Sequence, residues 1–352
     1  MSRLRIAVIG GGHLGTIHAR LVRQVPELDL VAVVEKDPRT RQRLAEQLQV
    51  ETSEDFSQII PDIDAAIIAV PTTMHHRIAR ELLAHDIHLL VEKPLAVDGA
   101  QAVELVQLAQ ARQVVLQVGH VERFNPAFLA FQRNLALDKP PVYIEAVREG
   151  ALTFRSMDIG VVLDLMIHDL DLVLSLVKSP AQQVAATGFH WTGAHEDIAE
   201  ARVTFANGCV AQFTASRISP SPRRAMRLFG DHWHAALDFA AQQAQVVRRG
   251  DRGDGAWEEV PFDQRARLQS EMFTELFPCT NLEVAGHNAI LEELRDFVTS
   301  IRWGSSPRVS GADGLAALNV AEEIVAQIAR RQVFAHPTAR GVRDDAPHRK
   351  AG

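Results

Sequence analysis

Lys93, Asp164 and His168 supply the groups that oxidation of an alcohol needs. When hydride leaves a carbon that bears a hydroxyl, the hydroxyl proton must leave as well. A histidine is the usual base near neutral pH. An ammonium beside the developing alkoxide stabilises its charge in the transition state. Lys93 stands in Val91-Glu92-Lys93-Pro94, where Pro94 fixes the turn after an apolar run. Asp164 and His168 are four positions apart in a segment that is helical by period, with Leu163, Met166, Ile167, Leu170, Val173 and Leu174 on its apolar face. That spacing puts both on one face, one turn apart, so that Asp164 can orient or tune its neighbours. Acidic residues and a histidine in an otherwise apolar helix are costly unless they serve something. The alternatives are a structural Asp–His pair at a domain interface and a surface lysine.

The redox partner is indicated by Gly10-Gly11-Gly12-His13-Leu14-Gly15. G-x-G-x-x-G is weak alone, but here it follows an apolar run and opens a helical pattern. Gly10 allows the tight turn, Gly12 lets the backbone approach a pyrophosphate, and Gly15 lets helix and strand pack closely. His13 and Leu14 open the helix whose N-terminus offers free N–H groups to the phosphates. Glu35, twenty positions beyond Gly15, is placed to accept the adenosine ribose hydroxyls and to repel a 2′-phosphate, which favours NAD over NADP. Lys36 weakens that preference, since it could reach a phosphate. Pro71 and His75 follow another apolar run, where ligands of open parallel sheets sit. His75 is either near the cofactor or a cap of the next helix. Glu92, at the same strand end as Lys93, joins the candidate cofactor set. A glycine turn without a ligand is the competing reading.

The elements that must position these residues follow from periodicity. Apolar runs at Leu4–Ile9, Leu28–Val34, Ala65–Val70, Ile87–Val91 and Val114–Val118 alternate with helical patterns, Arg39–Leu48 and Gly99–Ala111 among them. This predicts a parallel sheet covered on both faces. Beyond it, Val142–Arg148, Val184–Thr192, Ala199–Phe205, Val210–Ser216, Arg224–Gly230 and Ala235–Phe239 read as half-buried strands, with turns at Asn207-Gly208 and Gly230-Asp231. One helix, Val161–Val177, lies among them, and amphipathic helices follow at Asn288–Ile301 and Asp313–Arg331. The fold class is therefore α/β plus α+β. A Rossmann dinucleotide-binding domain over 1–122 precedes an open-faced, mostly antiparallel sheet domain over 123–335, and 336–352 read as a disordered tail.

At 352 residues the chain accommodates two domains, each with a core. A net charge of −7 with a single Tyr, Tyr143, argues against nucleic acid and anionic membranes as partners. Arg223–Arg224 and Arg248–Arg249 are too short to form a basic patch and read as solvated faces. Cys209 and Cys279, with no C-x-x-C, argue against a zinc site or disulfides, so no metal is expected and a reduced cytoplasmic compartment fits. Met1–Arg5 runs straight into a strand, without the core of a signal peptide, and no apolar run reaches membrane-spanning length.

Glu92-Lys93-Pro94, Asp164-x-x-x-His168, the Pro71 to His75 stretch and the late Pro307–Gly314 together resemble the glucose–fructose oxidoreductase, inositol dehydrogenase and MocA (Gfo/Idh/MocA) family, over nearly the whole chain. The resemblance implies a Rossmann domain followed by an open-faced sheet used for homodimer or homotetramer contacts. It also implies Lys93, Asp164 and His168 as the catalytic set and NAD as cofactor. Gly119-His120-Val121-Glu122-Arg123-Phe124-Asn125-Pro126 and Gly160–Asp169 further resemble the subgroup of UDP-N-acetylglucosamine 3-dehydrogenases. Those enzymes oxidise the sugar 3-hydroxyl before a pathway aminotransferase acts, in lipid A diamino-sugar synthesis. That likeness implies a UDP-sugar substrate with Glu122, Arg123, Asn125 and Arg155 near it; surface or packing roles are the alternative for each. Three rivals stand beside it: another sugar or inositol dehydrogenase of the family, a non-enzymatic nucleotide-bound regulator, and a glycosidase with tightly held NAD.

Overall fold

The computed structural model describes residues 2–134, 141–154, 159–250 and 260–331. Arg155, most of the polar loop expected at 250–255 and the tail expected at 336–352 lie outside the described residues. The first unit alternates strands and helices: β1 (Leu4–Ile9), α1 (His13–Val22), β2 (Leu28–Val34), α2 (Pro38–Leu48), β3 (Glu51–Ser53), β4 (Ala65–Ile68), α3 (His75–Ala84), β5 (His88–Glu92), α4 (Gly99–Arg112) and β6 (Leu116–Gly119). Their residues explain them. Ala65–Ile68 is buried on both faces, as parallel strands under two helical layers must be. α2 starts where Asp37 caps the Thr40 N–H and Pro38 takes the first helical position. The parallel order β3-β2-β1-β4-β5-β6 reverses direction between β1 and β4, and ligands of such sheets bind beyond the strand ends at that reversal. β3, three polar residues on the sheet edge, has no apolar period and was not anticipated.

The second unit contains α5 (Pro126–Asn134), β7 (Tyr143–Glu149), α6 (Ile167–Val177), β8 (Ala181–Phe189), β9 (Ile198–Phe205), β10 (Val210–Ser216), β11 (Arg223–Phe229), β12 (Trp233–Asp238), β13 (Gln243–Arg248), α7 (Phe262–Glu271), β14 (Cys279–Asn281), α8 (Ala289–Trp303) and α9 (Gly311–Arg331). The sheet order is β14-β13-β12-β11-β7-β10-β9-β8. β7 and β10 pair in parallel, and the other neighbours are antiparallel. In β7 the inward residues Ile144, Ala146 and Arg148 are buried and the alternate ones half-buried. Ile144, Phe213, Met226 and Leu228 form one core with Leu170 and Val173 of α6 and Ile324 of α9.

One expectation changes. The helix expected from 161 begins as a π-turn, Val162–Met166, before α6. After the second sheet the chain returns to the first unit. Leu294, Phe297 and Val298 of α8 pack with Val8, Val22 and Leu44. Leu318 of α9 joins the core of Leu105 and Val118, while Ile324 serves the other core. α9 thus ties the two sheets into one frame around the site. Among the described residues no helix is long and apolar enough to cross a membrane.

Candidate active site

The glycine turn is shaped by close approach. Gly10 has φ +105°, and a Cβ on it would collide with the Ala69 carbonyl; one on Gly15 would collide with the Gly10 carbonyl. Only glycine fits either position. Gly12 differs, since a Cβ there would meet nothing within 4 Å. It borders the open side of the turn, at the start of α1, where no side chain caps the helix N-terminus. His13 and Leu14 are exposed in the first turn. An open cradle before uncapped helix N–H groups suits a pyrophosphate. At the end of β2, Glu35 closes the turn by accepting the Gly11 N–H at 2.7 Å and the Asp37 N–H at 2.9 Å. In dinucleotide folds an acidic residue at this strand end receives the adenosine ribose.

Pro71 precedes the single turn Thr72–Met74, and His75 follows it. The His75 ring is buried, with Nδ1 2.9 Å from the Pro94 carbonyl and Nε2 2.9 Å from the Val70 carbonyl. Burial lowers its pKa. His75 clamps the turn after β4 to the Lys93–Pro94 turn, whose peptide is cis. It is therefore a fastening of the site as well as the start of α3. Glu92 also turns inward. Its Oε1 lies 2.7 Å from Nε2 of the buried His18. Burial opposes its charge, but the His18 bond and the His18 and Lys93 charges outweigh that and hold its pKa down.

Lys93 follows β5, Asp164 lies in the π-turn and His168 in α6; Lys93 meets Asp164 across the seam between the sheets, and its charge reaches His168. Lys93 Nζ donates to the Asp164 backbone carbonyl at 2.6 Å and to its Oδ1 at 3.1 Å. Asp164 lies in the π-turn, whose i→i+5 winding departs from the regular α ladder; such turns recur at functional sites. Glu196 fixes where it starts. Its Oε1 accepts the Val162 N–H at 3.1 Å and its backbone carbonyl accepts the Val161 N–H at 3.1 Å. The carboxylate fills the space that a Cβ on Gly160 would need. Arg217 braces the same start, donating to the Ile159 carbonyl at 2.9 Å and to Asp197 Oδ1 at 2.6 Å.

His168 is half-buried, with its Nδ1 buried and unbonded. Its pKa lies well below the ordinary histidine value, first through burial and then through the charges of Lys93 and Arg148, with His120 and Arg224 adding to it. A neutral imidazole is the form that can take a proton. The His120 ring, fully buried, meets His168 edge-on at 6.1 Å, and neither of its nitrogens has a partner.

The remaining expected residues serve the frame. Glu122 accepts from Arg148 at 2.8 Å and from Asn125 Nδ2 at 3.0 Å. Asn125 Oδ1 caps α5 through the Ala127 N–H. Arg123 forks onto Asp171 at 2.7 and 3.0 Å. The polar atoms of these three residues are engaged inside the protein. Arg155 lies outside the described residues. Sequence reading missed Arg148, which forks onto Asp169 at 2.8 and 3.0 Å and is buried. Burial opposes its charge, but Asp169 and Glu122 outweigh it and raise the pKa. Its signal was strand alternation, since it shares parity with Ile144 and Ala146. His120 was visible as a polar residue at a strand end beside that of Lys93. Glu196 had no local signal.

A dinucleotide cradle facing a lysine, an aspartate and a neutral histidine defines a nicotinamide-dependent oxidoreductase site. Residues 4–120 match the oxidoreductase family with an NAD-binding Rossmann fold, and 145–235 match the GFO/IDH/MocA C-terminal domain. The UDP-N-acetylglucosamine 3-dehydrogenase of Acidithiobacillus ferrooxidans is 31% identical over 320 residues, 91% of this chain and 95% of that protein. Its solved structure superposes with a TM-score of 0.82, covering 93% of this chain and 98% of the other. The myo-inositol 2-dehydrogenase of Thermotoga maritima is 26% identical, over 90% of this chain and 93% of its own. The chain belongs to the GFO/IDH/MocA oxidoreductase family, and its cofactor is NAD.

Proposed function

We propose that the chain oxidises the 3-hydroxyl of UDP-N-acetylglucosamine to the 3-oxo sugar. The observation that carries the chemistry is the Lys93–Asp164 pair at the carboxyl end of β5, with the neutral His168 near enough to feel the Lys93 charge. The substrate is the one acted on by the A. ferrooxidans relative. NAD, when bound, supplies the hydride acceptor. Gly12 and the first residues of α1 would hold its pyrophosphate, and Glu35 would receive the adenosine ribose. His168 takes the hydroxyl proton. Lys93, held by Asp164, donates a hydrogen bond to the same oxygen and stabilises the negative charge that grows on it. Asp164 keeps the ammonium aimed at that oxygen. His75 and Glu92 set the turn from which Lys93 projects. A second copy of the chain would dock on the open sheet face, and an aminotransferase of the lipid A route would consume the 3-oxo product.

The test is NADH absorbance with NAD and either UDP-N-acetylglucosamine, free N-acetylglucosamine, myo-inositol or glucose, with a glutamate-dependent aminotransferase present to draw off the product. A signal with the UDP-sugar alone supports the reading. A signal with inositol alone replaces the substrate by a cyclitol. No signal with any of them removes the substrate assignment.

A further inference from the structure

The inner face of the second sheet carries another arginine beside Arg148. Register sets Arg224 of β11 directly across from Arg148 of β7. The same face continues with Met226 opposite Ala146 and Leu228 opposite Ile144, all buried. Cross-strand partners share a face, so Arg224 lies on the side covered by α6. It lies at the end where α6 begins, because its neighbour Arg148 bonds Asp169 in the first turn of that helix. Yet Arg224 is exposed. Among the described residues its side chain makes no hydrogen bond or ion pair.

The charge balance around it is uneven. Lys93 is matched by Asp164. Arg148 takes both nearby carboxylates, Glu122 and Asp169. Arg224 is left as surplus positive charge beside His168. The groups facing it feel its charge: burial comes first in lowering the His168 pKa, with Lys93, Arg148, His120 and Arg224 adding to it, and burial comes first in raising the Asp169 pKa, with Arg148 and Arg224 opposing that rise and Glu122 adding to it. An exposed guanidinium without a partner is suited to a phosphate, which it can bind through two parallel N–H groups. The cofactor's pyrophosphate already has its place at the N-terminus of α1, on the other sheet.

We infer that Arg224 recognises the diphosphate of a nucleoside-diphosphate sugar and thereby selects that substrate class over neutral sugars and cyclitols. This rests on the reading of Lys93 and His168 given above, because it is their position that puts the sugar ring next to Arg224. A neutral cyclitol would leave the guanidinium without a partner.

Calorimetric titration of UDP and of uridine into the NAD-loaded protein tests it, with Arg224→Gln and Arg224→Lys beside the native chain. The expected result is UDP affinity about 10–100-fold weaker in Arg224→Gln, with Arg224→Lys in between. Uridine and NAD affinities should be the same in all three, with equal Tm values. Equal UDP affinity in the native and Gln chains overturns the role of Arg224 and leaves the substrate reading intact. Absence of UDP binding to the native chain overturns both. A matched loss of uridine and UDP affinity assigns Arg224 a packing role and overturns the inference.

Discussion

Lys93 holds Asp164 twice, through the backbone carbonyl at 2.6 Å and through the carboxylate at 3.1 Å. The shorter bond is to the main chain, so a change of the Asp164 side chain removes only part of the tether. Asp164→Asn should lower kcat by about 10-fold, and Lys93→Met by about 100- to 1000-fold, with the dissociation constant of NAD little changed. Steady-state kinetics and NAD titration check both. Equal losses in the two variants would show that the carboxylate, rather than the main-chain carbonyl, is the anchor.

The acid side of the rate profile follows from His168. Burial and the nearby Lys93 and Arg148 charges lower its pKa, so the imidazole stays neutral below the ordinary value of about 6.5. The base is lost only when pH falls through that lowered pKa. kcat/KM should therefore hold steady through pH 6.5 and decline at more acid pH. A decline centred above about 6.5 would mean that another group controls the reaction or that His168 is charged.

Glu196 and Gly160 form a coupled pair at the start of the π-turn, where the carboxylate fills the space of the missing Cβ. Glu196→Ala should lower kcat about 10-fold through misplacement of Asp164. Glu196→Gln, which keeps an oxygen for the Val162 N–H, should restore most of it. Gly160→Ala evicts the carboxylate by itself, so the double variant Gly160→Ala/Glu196→Ala should be much less impaired than the two single losses multiplied. Independent, multiplicative losses would contradict this coupling.

The proposed role of Glu35 makes the choice of cofactor a matter of charge. Glu35→Gln keeps the acceptor for the Gly11 N–H and removes the charge that repels a 2′-phosphate. The ratio of kcat/KM with NADP to that with NAD should rise by about 10-fold. An unchanged ratio would place the adenosine ribose elsewhere.

How far the sequence could be read depended on how local the signal was. β1, β2 and α2 are local patterns, a buried apolar run or a capped amphipathic turn, and the expected Leu4–Ile9 and Leu28–Val34 coincide with the strands found. The Asp164-x-x-x-His168 spacing located the segment but implied regular α winding. The π-turn depends on Glu196, some thirty residues away, and local periodicity cannot register such a contact. Glu122, Arg123 and Asn125 stood out as polar residues in one short stretch. Their partners, Arg148, Asp171 and Phe239, arrive from other elements and draw them inward. The packing of α8 on α1 has the same character: its amphipathic face was plain, while the core that it would join was not.

The most direct test of the account is His168→Asn, measured side by side for NADH formation and for NAD binding by protein fluorescence or calorimetry. The predicted result is turnover reduced by at least about 1000-fold, with the NAD dissociation constant within about 2-fold of the native value and a His168→Asn protein that melts at the native temperature. Turnover near the native rate would contradict the assignment of His168 as the base and, with it, the reading of the Lys93, Asp164 and His168 cluster as the reacting centre.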